Sequence, residues 1–115
     1  MLTDLSHGKL AEAQHLFLTT SGRTGRTTVE LWFACHHNTI YVLSSRGEAA
    51  DWVRNIGRNP QVDLQIGRTL RTGRARRITN LEEDVRARRL VVCKYQQSSS
   101  TAWGRTALPI AIDLD

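Results

Sequence analysis

Two largely apolar runs, Leu16-Phe17-Leu18 and Val29-Glu30-Leu31-Trp32-Phe33-Ala34, flank the stretch Thr19-Thr20-Ser21-Gly22-Arg23-Thr24-Gly25-Arg26-Thr27-Thr28. Both runs are of strand length and rich in bulky aliphatic and aromatic residues, so the stretch between them reads as the turn of a β-hairpin. Few other foldings suit such a pattern. Gly22 and Gly25, three apart, allow positive φ and expose successive backbone N–H groups. With Arg23, Arg26 and several hydroxyls beside them, those amides can form a cradle for phosphate oxygens. The same residues also suit a solvated hairpin tip whose arginines only keep it soluble.

The rest of the chain extends this β pattern. The first strand is expected over Ala13–Thr20 and the second over Thr27–Cys35. On the second, Val29, Leu31 and Phe33 point one way while Glu30 and Trp32 point the other. A tryptophan on the second face suggests a barrel wall that also forms a dimer contact. His37-Asn38 marks a turn before a third strand, Thr39–Ser44. Gln61–Ile66 alternates cleanly, with Val62, Leu64 and Ile66 inward, and Gly67-Arg68 turns it into a long strand over Thr69–Ile78. Arg71, Arg74, Arg76 and Arg77 on that strand read as solvated charges that discourage edge pairing. The closing strand is Ala107–Leu114, where Pro109 implies an edge, an end or a bulge.

Two helices are expected. Ser45-Arg46-Gly47-Glu48 has capping-box spacing, with Ser45 as N-cap of a helix running from Arg46 to Gly57. Asn59-Pro60 ends it. Free N–H groups at its start favour an anion, which Arg46 would help hold. Thr79-Asn80-Leu81-Glu82 is a second box, opening a helix that reaches Lys94 with Leu81, Val85 and Val92 on one face. Gln96–Thr101 is polar and serine-rich and reads as a mobile loop. Six strands joined mainly by hairpins, with two or three helices, make a mainly β (α+β) chain folded as a small antiparallel barrel.

At 115 residues the chain is one domain, with residues 1–12 a tail or short lead-in and 13–115 the folded unit. A net charge of +5, nearly all from arginine, favours an anionic partner. Nucleic acid is disfavoured, because no recognition-helix motif is present and aromatics for base stacking are few. Cys35 and Cys93 are too few for a disulfide scaffold and fit a reducing cytoplasm. No signal peptide or membrane-spanning run is evident. Cys35-His36-His37 is no metal site: neighbours on a strand project to opposite faces, and no partner cluster exists elsewhere. No paired carboxylates or nucleophile–base set stands out, so hydrolysis has no evident machinery.

Thr19-Thr20-Ser21-Gly22-Arg23-Thr24-Gly25-Arg26 followed by Leu31-Trp32-Phe33 resembles the deazaflavin-dependent nitroreductase family, small split-barrel oxidoreductases. Ser44-Ser45-Arg46-Gly47-Glu48-Ala49-Ala50-Asp51-Trp52-Val53-Arg54-Asn55 with Asn59-Pro60 is similar to that family's second signature. Arg105-Thr106-Ala107-Leu108-Pro109-Ile110 resembles its closing strand, so the likeness spans Phe17 to Ile112. The resemblance implies a six-stranded, FMN-binding-like split β-barrel that acts as a homodimer. It implies an oxidoreductase using the deazaflavin coenzyme F-420 (8-hydroxy-5-deazaflavin) to exchange a hydride with a small electron-poor substrate. The cofactor would supply the chemistry, leaving the protein to bind and orient it. On this resemblance Arg23, Thr24, Gly25 and Arg26 hold phosphate, and Ser44, Ser45 and Arg46 line the cofactor near the helix start. Trp52 and Asn55 belong to the same signature, although Trp52 also suits the core and Asn55 a loop brace. Tyr95 and Trp103 shape the substrate pocket. The alternatives on the same barrel are FMN or a tetrapyrrole.

Overall fold

The computed structural model describes residues 9–95 and 102–115. Seven strands form one antiparallel sheet: β1 Leu16–Gly22, β2 Gly25–Leu31, β3 Ala34–His36, β4 Thr39–Ser44, β5 Gln61–Ile66, β6 Thr69–Arg77 and β7 Leu108–Leu114. Their order is β2-β1-β5-β6-β7-β4-β3. The edge strands β2 and β3 are therefore consecutive in the chain, separated only by Trp32 and Phe33. Flat, seven strands at about 4.8 Å spacing would hold those edges roughly 29 Å apart. The three Cα steps from Leu31 to Ala34 span at most about 11 Å. The sheet must roll until its edges meet, which is a barrel.

The seventh strand arises from this closure. A single strand expected over Thr27–Cys35 breaks at Trp32-Phe33 as the chain crosses from one edge to the other. The opening hairpin is tighter than its glycines suggested. Thr19↔Thr28, Thr20↔Thr27 and Ser21↔Arg26 all pair, leaving a two-residue turn at Arg23-Thr24. Threonines that read as turn are here ordinary β-branched strand residues. The hairpin turns at His37-Asn38 and Gly67-Arg68 are as expected, with φ of 55° at His37 and 62° at Gly67.

Inward residues of the strands, including Leu16, Leu18, Phe33, Ile40, Val42, Val62, Leu64, Ile66, Ile110 and Ile112, fill the barrel. Helix α2, Asp51–Arg58, adds Trp52, Val53 and Ile56 to the same core. Helix α3, Leu81–Lys94, covers the outside of the barrel, where Ala87 and Val91 pack on Ala34, Tyr41, Leu43 and Ala111. Strand β4 is thus buried on both faces. Two short helices, α1 Lys9–Glu12 and α4 Ala102–Thr106, complete the described chain, and the sequence signalled neither as a helix. The expected loop at Gln96–Thr101 and residues 1–8 of the expected tail lie outside the described residues.

Both capping boxes are corrected. Gly47 takes φ of 56°, a left-handed geometry that interrupts the helix expected from Arg46. Gly47–Ala49 is a 3₁₀ turn, Ala50 is extended, and α2 starts at Asp51 without a side-chain cap. Glu48, freed from capping, pairs with Arg77. Ahead of α3 the cap is Asn80, one residue later than expected, its Oδ1 accepting from the Glu83 N–H at 3.0 Å. The buried face of α3 is Ala87, Val91 and Val92, whereas Leu81 and Val85 are exposed.

Strand β6 is not an edge. It lies between β5 and β7, and its arginines are partly engaged: Arg76 bonds Glu83 at 2.7 Å and Asp113 at 2.7 Å. Glu83 also accepts from the buried Tyr41 hydroxyl at 2.9 Å. Arg76 holds the Glu83 and Asp113 carboxyls below their ordinary range, so this network pins α3 to the barrel while charged. Pro109 sits near the start of β7, opposite Leu43 and beyond the last β6 partner at Ile110.

Candidate cofactor groove

Alternate residues of β2, namely Thr27, Val29 and Leu31, face the end of β4 and the start of α2 across a cavity of about 370 Å³. Leu43, Ser44, Ser45, Arg46, Asp51 and Trp52 form its other wall. A second cavity of about 380 Å³ shares Glu30, Leu31, Leu43 and Ser45 with the first and runs on to Trp32 and Trp103. Together they make one groove, large enough for a cofactor of nucleotide size.

The two ends differ in chemistry. At one, the Ser44 hydroxyl donates to the Gly47 carbonyl at 3.0 Å and shapes the loop that presents Ser45 and Arg46. Arg46 is exposed and has no ion pair among the described residues. Of the other charged residues in the lining, Asp51 pairs with Arg54, and Glu30 lies 3.4 Å from His15. At the other end, breaking the strand after Leu31 turns Trp32 outward to 45% exposure. Trp32 stacks on Tyr95 with centroids 4.2 Å apart, and Trp103 meets it edge-on at 5.6 Å. Both arrangements are favoured aromatic geometries. Trp32, which the sequence suggested as part of a dimer contact, packs within the chain on this cluster and remains 45% exposed.

Behind the cluster lies a half-buried polar layer. Phe33 N–H donates to the Tyr95 hydroxyl at 3.0 Å, and that hydroxyl lies 2.6 Å from the Gln14 carbonyl, to which it donates. Burial raises the Tyr95 phenol above its usual value. The Lys94 ammonium sits 3.6 Å over the Phe33 ring, and burial pushes it down to about 8. Neither Tyr95 nor Lys94 lines the groove.

Of the residues the sequence proposed, Ser44, Ser45, Arg46 and Trp52 come together around the first cavity, and Trp103 lines the second. Trp52 is also core, at 5% exposure. Arg23 and Thr24 form the exposed hairpin turn with Gly25, φ 138°, two residues beyond Thr27. Arg23 has no ion pair among the described residues. Arg26 instead pairs with Asp63 on the opposite face of β2 from Thr27. Asn55 does not line the groove, and its Nδ2 donates to the hydroxyl of Thr20, the cross-strand partner of Thr27, at 3.0 Å. Tyr95 braces Trp32 from behind. Sequence reasoning missed the rest of the lining: Thr27, Val29, Glu30, Leu31, Trp32, Leu43, Ala50 and Asp51. The available signal was Trp32 facing away from Val29 and Leu31.

These features fit a planar cofactor with an anionic tail. An uncompensated guanidinium and the Ser45 and Thr27 residues suit anionic oxygens, and the aromatic end suits a flat ring system. Among the described residues no group of three or more His, Cys, Asp or Glu could hold a metal ion, and no helix is long and apolar enough to cross a membrane.

Comparison with known proteins agrees with this geometry. The family model for F420H(2)-dependent quinone reductase matches residues 4–115. No curated protein matches. Among solved structures, an F420-H2 dependent reductase (FDR-A) superposes with a TM-score of 0.70 at 20% identity, over 89% of this chain and 94% of that one. A protein provisionally assigned to 5-nitroimidazole antibiotic resistance in Bacteroides thetaiotaomicron gives 0.74 at 16% identity, over 92% and 75%. An FAD-binding protein of Mesorhizobium loti gives 0.68 at 18% identity, over 92% and 84%. At such identities these likenesses establish the shared split-barrel fold.

Proposed function

The chain belongs to the F420H(2)-dependent quinone reductase family, and on that premise we propose how it holds its cofactor and what it reduces. It is an oxidoreductase whose cofactor is the deazaflavin coenzyme F-420. One observation carries the proposal: the groove has the uncompensated Arg46 at one end and the Trp32–Trp103 wall at the other. Residues 13–115 act as a single cofactor-binding domain.

When bound, the reduced deazaflavin supplies a hydride. Everything else falls to this chain. Arg46 and Ser45, with the exposed hairpin tip Arg23, Thr24 and Gly25, take the phosphate and acidic tail through charge-assisted hydrogen bonds. Ser44 fixes the loop that presents them, and Trp52 forms the floor. Arg26, already paired with Asp63, serves by bracing the hairpin. Trp32 and Trp103 flank the acceptor, Tyr95 sets the Trp32 plane, and Asn55 holds the hairpin to α2. Leu31, Leu43 and the indoles keep water from the reacting face, which limits loss of the hydride to solvent. No side-chain nucleophile is needed.

The substrate is a small, planar, electron-poor acceptor, a quinone before a nitroaromatic. The aromatic wall would receive either ring, and the family's description names quinones. Loss of reduced-coenzyme absorbance on adding a naphthoquinone or a nitroimidazole tests this directly. Faster quinone reduction is expected. Reduction of neither acceptor would overturn the substrate class. Arg46→Ala should weaken coenzyme binding by about 1.5–3 kcal/mol, the range for a hydrogen bond to a charged group.

A further inference from the structure

Thr20 and Asn55 are polar residues placed where apolar ones would be cheaper. Thr20 is fully buried and Asn55 is 7% exposed, and their side chains bond each other at 3.0 Å. Burying an amide and a hydroxyl is unfavourable unless they are paired, and two apolar side chains would fill the same space without that demand. The same carboxamide presses against Gly22. A Cβ at Gly22 would lie 2.8 Å from Asn55 Oδ1 and 3.2 Å from its Cγ and Nδ2. Gly22 has no positive φ, so its missing side chain serves close approach and not backbone freedom. It also immediately precedes the turn at Arg23-Thr24.

Helix α2 links the two regions. Its first residues, Asp51 and Trp52, wall the groove opposite Thr27, and Asn55, one turn on, touches the hairpin at Thr20 and Gly22. One short helix thus contacts both the cavity wall and the base of the tip.

We propose that Thr20, Gly22 and Asn55 form a positioning latch that fixes the hairpin tip relative to α2, so that the tip and Arg46 engage the phosphate end of the cofactor together. This rests on the cofactor reading above. None of the three is a catalytic residue. They act through the residues they hold, and their contribution is confined to the anionic part of the ligand.

The test compares two fluorescent ligands: the complete deazaflavin coenzyme and its phosphate-free core, 8-hydroxy-5-deazariboflavin. Each is titrated against wild type, Thr20→Val, Thr20→Ser and Gly22→Ala, with thermal melting of every protein. Thr20→Val keeps the shape and removes the hydrogen bond, so it carries the test if Gly22→Ala does not fold. The latch predicts about tenfold weaker binding of the complete coenzyme in Thr20→Val, less than about twofold change for the core, and recovery in Thr20→Ser. Equal losses for both ligands, or no loss for either in a folded variant, would overturn it and leave the pair as core packing. Wild type binding both ligands equally well would overturn the latch alone. Wild type binding neither would overturn the cofactor reading with it.

Discussion

Phe33 N–H donates to the Tyr95 hydroxyl at 3.0 Å, at the point where the chain leaves one edge of the sheet to close the barrel at the other. The sheet provides no strand partner at this crossing, and Tyr95 supplies one. The same hydroxyl reaches the Gln14 carbonyl, and its ring stacks under Trp32. One residue of α3's C-terminal cap thereby holds the barrel seam and orients the aromatic end of the groove.

Tyr95→Phe keeps the stack and removes the hydroxyl. It should destabilise the protein by about 1–3 kcal/mol, because the buried Phe33 N–H loses its acceptor. Urea unfolding of the variant measures this. A stability equal to wild type would show that water replaces the hydroxyl.

Lys94 gives a pH dependence of the unusual sign. Its folded value, about 8, lies below the ordinary 10.5 because burial penalises the ammonium. Between those values the unfolded chain carries a proton that the folded chain has released, so stability rises with pH across that window. Below about 8 the protein carries the full cost. Contact with the Phe33 ring and solvent near the stem reduce that cost to about 1 kcal/mol. Lys94→Met should therefore be more stable than wild type at pH 7 and should lose the rise between pH 8 and 10. Thermal melts over that range decide it, and a less stable Lys94→Met would show that the ammonium is a net contributor.

For assembly we propose the row of exposed apolar residues on β1 and β6, beside the Trp32 face that the sequence suggested. Phe17, Gln65 and Leu70 pair in one row across β1, β5 and β6, with Phe17 39% and Leu70 74% exposed. Helix α3 covers the same outer face farther along the sheet, at β4 and β7, and leaves this row bare. We expect a homodimer with this row at its interface. Light scattering should give a dimer for wild type with cofactor present and a monomer for the Phe17→Ser, Leu70→Ser double variant. A monomeric wild type at micromolar concentration would refute it.

What the sequence made legible was mostly periodic. Gln61–Ile66 alternates in the structure residue for residue, and α3 ends at Lys94 as its pattern implied. The failures lie where one conformation decides a boundary. Ser45 and Glu48 have capping-box spacing, but the left-handed Gly47 between them ends that helix before it starts. Shortening the hairpin turn to Arg23-Thr24 fixes which side chains share a face, and so sends Arg26 to Asp63 while Thr27 faces the groove. The groove itself depends on barrel closure, which brings Trp103 beside Trp32 from 71 residues away. No local pattern reports that.

On the proposal above, the groove is built for a deazaflavin with an acidic tail. Both the deazaflavin coenzyme and FMN carry a flat ring and a phosphate, so the salt-sensitive difference between them is the longer anionic tail. We propose that Arg23 and Arg46, exposed and without an ion pair among the described residues, meet it. Their attraction is screened by salt, so the preference should be modest at high ionic strength and larger at low. The deciding measurement is a pair of fluorescence titrations, deazaflavin coenzyme against FMN, each at low and high salt. Tighter binding of the deazaflavin, with a gap that narrows as salt rises, is the predicted result. FMN binding at least as tightly at both salt concentrations would show that the groove does not select the acidic tail.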